Sequence, residues 1–299
     1  MTKAERTAWI SVAAVVIVGA LLGWAGSWGG LRAGGLSVFA ATIAGVFGVQ
    51  WLAFLPSFAL RTERVYDLVG SGTYIGSMIL AAALSGRADP RGLLLVGMVV
   101  VWATRLGSFL FLRVLRAGKD DRFREIKQSF ARFLAAWTIQ ALWISFTLGA
   151  VLAAITATDT VPMETVGWIG VGVWLVGFTF EAVADEQKRR FRADPANRGQ
   201  FIRSGLWSWS RHPNYFGEIV LWIGAALVAA PTLRGWAWVT MLSPVFVILL
   251  LTRISGIPIL ERRADERWGE DADYRSYRAR TSVLIPRPPR AAGGKAGNR

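Results

Sequence analysis

Asn197–Ala230 reads NRGQFIRSGLWSWSRHPNYFGEIVLWIGAALVAA, and the passage through it decides the fold. A basic polar loop runs through an aromatic turn into an apolar helix that still carries Asn214 and Glu218. Pro213 suits the first turn of that helix, where its missing N–H removes nothing that would be bonded. Asn214 and Glu218 stand four apart and so share one face. The start of a helix carries unpaired N–H groups and partial positive charge, which favour phosphate or carboxylate. Arg203 and Arg211 add positive charge just upstream. A helix entering a membrane therefore begins with the means to hold an anion.

Composition extends this reading to the whole chain. Of 299 residues, 53% are hydrophobic and 18% charged, with 15 Trp, whereas soluble domains carry about 25% charged residues. The apolar residues fall in long runs, the mark of a polytopic helical membrane protein. The absence of Cys excludes disulfides, Fe–S clusters and thiolate zinc sites, and a single His, His212, excludes a multi-histidine metal centre. No metal site is expected. The formal charge of +14 is no sign of nucleic acid binding, because the cations sit in loops between spans. Lys3 and Arg6 before an apolar run resemble a signal peptide, but the many spans that follow favour a first transmembrane helix.

A helix needs roughly 20 apolar residues to cross the hydrocarbon core. The sequence predicts spans at 8–24, 36–56, 66–84, 92–112, 133–155, 166–183, 214–231 and 236–254, with loops at Gly23–Gly35 and Ser85–Arg91. Seven Lys/Arg lie between spans four and five, seven between six and seven, and eleven from Arg253 onward, while Thr156–Thr165 has none. Eight spans with both termini in the cytoplasm satisfy this pattern, with seven as the fallback. Residues 287–299 read as a disordered basic tail. No internal repeat, separate soluble domain or heptad seam is evident.

Ionisable groups inside spans are costly and draw attention as functional candidates. Arg105 lies in span four between Trp102 and Phe109, where it suits a structural ion pair, a snorkelling side chain or a site. Gln140 suits interhelical hydrogen bonding. Glu181, Asp185, Arg189 and Arg192 follow one face of the sixth helix, either as a solvated helix end or, with Asn214 and Glu218, as a polar pocket at the cytoplasmic surface. Trp207 and Trp209 are interfacial anchors that can also stack on a cofactor ring.

Three blocks carry a resemblance: WATRLGSFLFLRVLRAGKDDRFRE, FEAVADEQKRRFRADPANRGQFIRSGLWSWSRHPNYFGE, and SGIPILERRADER with YRSYRARTSVLIP. Over roughly Val101–Pro286 the chain resembles the bacterial branch of the steroid 5α-reductase-like membrane family. The resemblance implies an all-α transmembrane bundle in which residues 1–100 are weakly diagnostic helices and 101–286 form a cofactor-binding domain. It implies NADPH as cofactor, entered from the cytoplasm, and a reducible apolar, lipid-like substrate from the bilayer. Asn214-Tyr215-Phe216-Gly217-Glu218 fits that family's Asn-x-x-Gly-Glu pattern. The implied cofactor set takes Glu181, Asp185, Arg189, Arg192, Asn197, Arg203 and Trp207 from the sixth helix and its loop. It continues with Arg211, His212, Asn214, Tyr215 and Glu218, and then Arg262, Tyr274 and Tyr277. Arg192 and Arg203 are the candidates for the ribose 2′-phosphate.

The chain departs from the steroid reductases at Phe54-Leu55-Pro56-Ser57-Phe58, which lacks the carboxylate that precedes Leu-Pro there. Tyr66, Tyr74 and Arg105 are the candidate donors to a substrate carbonyl. The Arg-His-Pro-x-Tyr turn is shared with isoprenylcysteine and phospholipid methyltransferases, which makes S-adenosylmethionine the alternative cofactor. A lipid-binding membrane protein without catalysis is the second alternative. The expected setting is a bacterial inner membrane, with membrane lipids around a monomer.

Overall fold

The computed structural model describes residues 1–86, 89–117 and 123–288, with the side chains of 113–117 left aside. Parts of the expected loop 85–91, of the basic loop after span four and most of the tail 287–299 lie outside the described residues. The protein is an all-α polytopic membrane bundle, with eight helical stretches among the described residues long and apolar enough to cross a bilayer.

By internal contacts the chain forms two compact units, Met1–Trp168 with Ala225–Ser243, and Ile169–Gly224 with Pro244 onward. In the first unit, α1 (Lys3–Gly26), α2 (Val38–Ala59), α3 (Tyr66–Ser85) and α4 (Pro90–Ala117) pack around α5 (Phe130–Ile155). α5 is the axis: 78% of its most apolar window is buried, against 28% for α1. Thr2 and Glu5 form a reciprocal capping box that starts α1.

Helix α1 runs through Gly26, past the point where a glycine-rich loop is expected. Its glycines are packing sites: a Cβ on Gly19 would meet the Phe47 ring at 2.7 Å, and one on Gly26 would enter the Phe39 ring. The loop proper is a hairpin, β1 (Arg32–Ala33) against β2 (Leu36–Ser37), turned at Gly34 and Gly35. Both have positive φ, +57° and +83°, as a two-residue hairpin turn requires.

The Ser85–Arg91 segment also shortens, because Asp89 caps α4 through Gly92 N–H at 2.8 Å and Pro90 occupies the first turn. Arg91 is therefore helical, and only 1% exposed. Its guanidinium donates to Val161 O at 3.1 Å, to Pro162 O at 2.6 Å and to Val228 O.

The second unit holds α6 (Thr165–Ala193) from Ile169 onward, the start of α7 (Pro213–Ala229), most of α8 (Leu242–Leu249), α9 (Ile257–Trp268) and α10 (Ala272–Arg280). The expected last span is not one regular helix. A 3-10 stretch Gly235–Met241 precedes α8, and a π turn Leu250–Ile254 follows it. Pro244 lacks the N–H that a longer preceding α-helix would use. Ser255 N–H then reaches five residues back to Leu250 O at 2.9 Å, and Gly256 and Pro258 start α9 afresh.

Candidate functional site

The site is assembled in the second unit from a close helix crossing. A Cβ on Gly217 would strike Glu181 N and lie 2.6 Å from Gly177 O, and a Cβ on Gly224 would lie 2.7 Å from Gly170 O. α6 and the start of α7 thus touch backbone to backbone. Asn214 and Glu218 flank that contact in sequence on α7, and on α6 Glu181 is 2% exposed with Asp185 one turn on at 6%. The glycine in the Asn-x-x-Gly-Glu pattern is what permits that approach.

Upstream of α7 the turn is fastened to the end of α6. Trp207 is buried and donates its indole N–H to Ala184 O at 3.0 Å. Leu206 N–H donates to Gln187 Oε1 at 2.9 Å, and Lys188 Nζ lies 4.2 Å over the Trp207 ring. His212, also buried, faces Glu261 Oε1 across 2.8 Å from its Nε2 and stacks its ring on Tyr215. Burial holds its pKa below the usual 6.5, outweighing the opposite pull of Glu261. The imidazole is therefore neutral near pH 7 and donates Nε2–H to the carboxylate. Arg211 Nη2 contacts Glu261 Oε2 at 3.1 Å, and Arg211 Nη1 donates to Arg278 O at 3.2 Å. Its Nε–H is buried without a partner.

Helix α9 supplies the opposite wall. Leu260, Glu261, Ala264, Arg267 and Trp268 fall near one face by i, i+4 and i+7 spacing. Between this wall, the end of α6 and the turn lies a cavity of about 320 Å³, at the small end of the range for small-molecule pockets. Lys188, Arg192, Arg211, Arg263 and Arg267 line it against one carboxylate, Glu261, and Phe201, Trp207, Trp268, Tyr274 and Tyr277 give it aromatic surface. Tyr277 donates to Trp207 O at 2.7 Å, and burial raises its pKa. Tyr274 is pushed up to about 12 by burial and then by Glu261 and Asp265, so both phenols stay protonated at pH 7.

Of the residues expected to bind a cofactor, Arg192, Trp207, Arg211, His212, Tyr274 and Tyr277 line this cavity. Glu181, Asp185, Asn214, Tyr215 and Glu218 are grouped at the neighbouring α6–α7 crossing and do not line it. Arg189 forms a bidentate pair with Glu186 at 2.6 and 2.7 Å, Asn197 Nδ2 donates to Phe191 O at 3.0 Å, Arg203 pairs with Asp273 at 2.9 Å, and Arg262 lies 3.9 Å from Glu266. Sequence reasoning missed Lys188, Glu261, Arg263 and Arg267. The one-sided spacing of Glu261, Ala264 and Trp268 on α9 was the available signal.

The candidate donors belong to the first unit. Tyr66 OH is already given to Ala136 O at 2.9 Å. Tyr74 is buried edge-on to Trp102, and Arg105 is half-buried one helical turn along α4.

A nicotinamide dinucleotide brings phosphates and flat rings. Five cations against one carboxylate, an unfilled guanidinium N–H and several aromatic faces fit such a group.

The family model described as "Protein of unknown function (DUF1295)" matches residues 53–281, more than half of the chain. An uncharacterised protein of Schizosaccharomyces pombe is 22% identical over 230 residues, 67% of this chain and 64% of the relative. Bovine 3-oxo-5-alpha-steroid 4-dehydrogenase 1 is 35% identical over 69 residues, 23% of this chain and 26% of that protein. Very-long-chain enoyl-CoA reductase of Dictyostelium discoideum is 31% identical over 80 residues, 27% of this chain and 26% of that protein. The chain thus spans under two thirds of the first relative's length and about a quarter of the two enzymes. No solved structure matches it.

Proposed function

The chain belongs to the DUF1295 family, and we propose that it is a membrane-embedded reductase that uses NADPH to saturate a conjugated double bond in an apolar, lipid-like substrate. The observation that carries this reading is the cavity wall, with its excess of cations and its buried, unfilled Arg211 Nε–H. S-adenosylmethionine bears no phosphate for those cations to engage. The names of the two enzyme relatives support a reductase that acts on unsaturated lipids.

When bound, NADPH supplies the hydride. Lys188, Arg192, Arg211, Arg263 and Arg267 neutralise its phosphates, and Trp207 with the tyrosines offers stacking surface. The His212–Glu261 pair holds the loop at the start of α7 in place. A donor at the substrate carbonyl stabilises the charge that builds there. Tyr66, Tyr74 and Arg105 are the candidates for that role. The substrate partitions into the bilayer while the nucleotide arrives from water, on the side that the basic loops assign to the cytoplasm.

Thermal unfolding of the purified protein in detergent tests the cofactor class. NADPH at about 100 times its dissociation constant adds about 2.7 kcal/mol to apparent stability. NADPH is expected to raise the midpoint more than NADH, and S-adenosylmethionine to leave it unchanged. A shift with S-adenosylmethionine alone makes the protein a methyltransferase. No shift with any of the three points to a lipid-binding role without catalysis.

A further inference from the structure

We propose that Thr281–Arg287 is a clasp on the turn Trp209–His212, and that closing it sets the affinity of the cationic cavity; the second half of this rests on the nucleotide reading above. Ser210 and Ser282 pair in a parallel bridge, and Arg211 N–H donates to Ser282 O at 2.8 Å. Arg287 N–H returns to Trp209 O at 3.0 Å. Ser210 joins the two strands through one atom. Its hydroxyl is 0% exposed as part of the residue, donates to Leu284 O at 2.8 Å, and accepts His212 N–H at 3.1 Å.

The turn carries Arg211 and His212, both on the cavity wall. The N–H groups that fix their backbone are therefore satisfied by the clasp or by the hydroxyl that the clasp engages. Little apolar burial holds the segment otherwise, since Val283 and Ile285 are 41% and 53% exposed. Its attachment is a set of hydrogen bonds, each individually modest, which suits a strap that opens and closes rather than a packed core element. Upstream, Thr281 N–H donates to Tyr277 O at 2.9 Å, which links the clasp to α10 and to a further wall residue.

Hydrogen exchange of the full chain in detergent, with NADPH as probe, tests the proposal. Arg287→Pro removes the donor to Trp209 O, Arg287→Ala keeps it while removing the charge, and Ser210→Ala breaks the shared hydroxyl. Exchange at the Arg211 and His212 amides is expected to rise about tenfold in Arg287→Pro and Ser210→Ala, and the NADPH dissociation constant to rise roughly 3–10-fold. Arg287→Ala should match the parent in both. Parent-like exchange in both clasp variants overturns the clasp. Faster exchange with an unchanged dissociation constant overturns its coupling to the cavity. A parent that binds no NADPH overturns the nucleotide reading and the coupling together, and the exchange rates then decide the clasp alone.

Discussion

His212 shows how one residue ties the site to stability. Its folded pKa lies below 6.5 because burial disfavours the charged ring. As pH falls through about 6.5, the unfolded chain takes up a proton that the folded chain refuses, so stability that is full above that value is lost on acidification. Thermal midpoints measured between about pH 5 and 8 should fall on the acid side, and His212→Gln, which keeps an N–H for Glu261, should flatten that fall. An equal slope in both proteins would place the acid sensitivity elsewhere. The arginines separate by a similar argument. Arg192 lines the cavity, and Arg203 lies outside its lining, paired with Asp273 at 2.9 Å. A charge-assisted bond to phosphate contributes about 1.5–3 kcal/mol. Arg192→Ala should therefore weaken NADPH about tenfold or more with NADH little changed, and Arg203→Ala should stay within about twofold for both, measured at one salt concentration.

At the scale of elements, the α6–α7 crossing is the feature most open to test. Gly217→Ala places a methyl against Glu181 N and Gly177 O, which are main-chain atoms that cannot rotate away. Overpacking of this kind costs about 1–3 kcal/mol, so the thermal midpoint should drop by several degrees. Gly172→Ala on α6 meets nothing within 4 Å and should be neutral or gain up to about 1 kcal/mol of helix propensity. Similar midpoints for the two variants would mean that the helices do not cross at Gly217. This crossing also marks how far the sequence could be read. Long apolar runs announce membrane spans, and Asn214 and Glu218 share a face by spacing alone. Gly217 was legible only as a letter in a pattern, because closeness of two backbones leaves no mark in composition. The α9 wall was hidden for a different reason: Arg263 and Arg267 satisfy the positive-inside rule equally well whether they meet lipid headgroups or a ligand.

At the scale of the molecule, the basic loops predict an orientation that can be measured. The chain contains no Cys, so single cysteines introduced at exposed positions report their side of the membrane without a background. Cysteine at Ser276, on α10 among the C-terminal basic residues, should react with an impermeant maleimide only after the membrane is opened when label is added from outside the cell. Cysteine at Asp159, in the loop free of Lys and Arg, should react at once. Both positions are exposed. The reverse pattern would invert the topology and place the cationic cavity on the wrong side for a cytoplasmic nucleotide.

Arg91 adds a schedule to this architecture. Its guanidinium spans carbonyls of Val161, Pro162 and Val228, and the last of these lies 137 residues further along the chain. At synthesis rates of about 5–20 residues per second, roughly 7–27 s separate the emergence of the arginine from that of its final acceptor. By the end of this wait the first five helices have all been translated, yet the unit they form also includes Ala225–Ser243. That unit is closed late, by a segment translated after all of α6 and the turn that bears His212. A nascent chain halted short of Val228 would hold α1–α5 with one fastening still open.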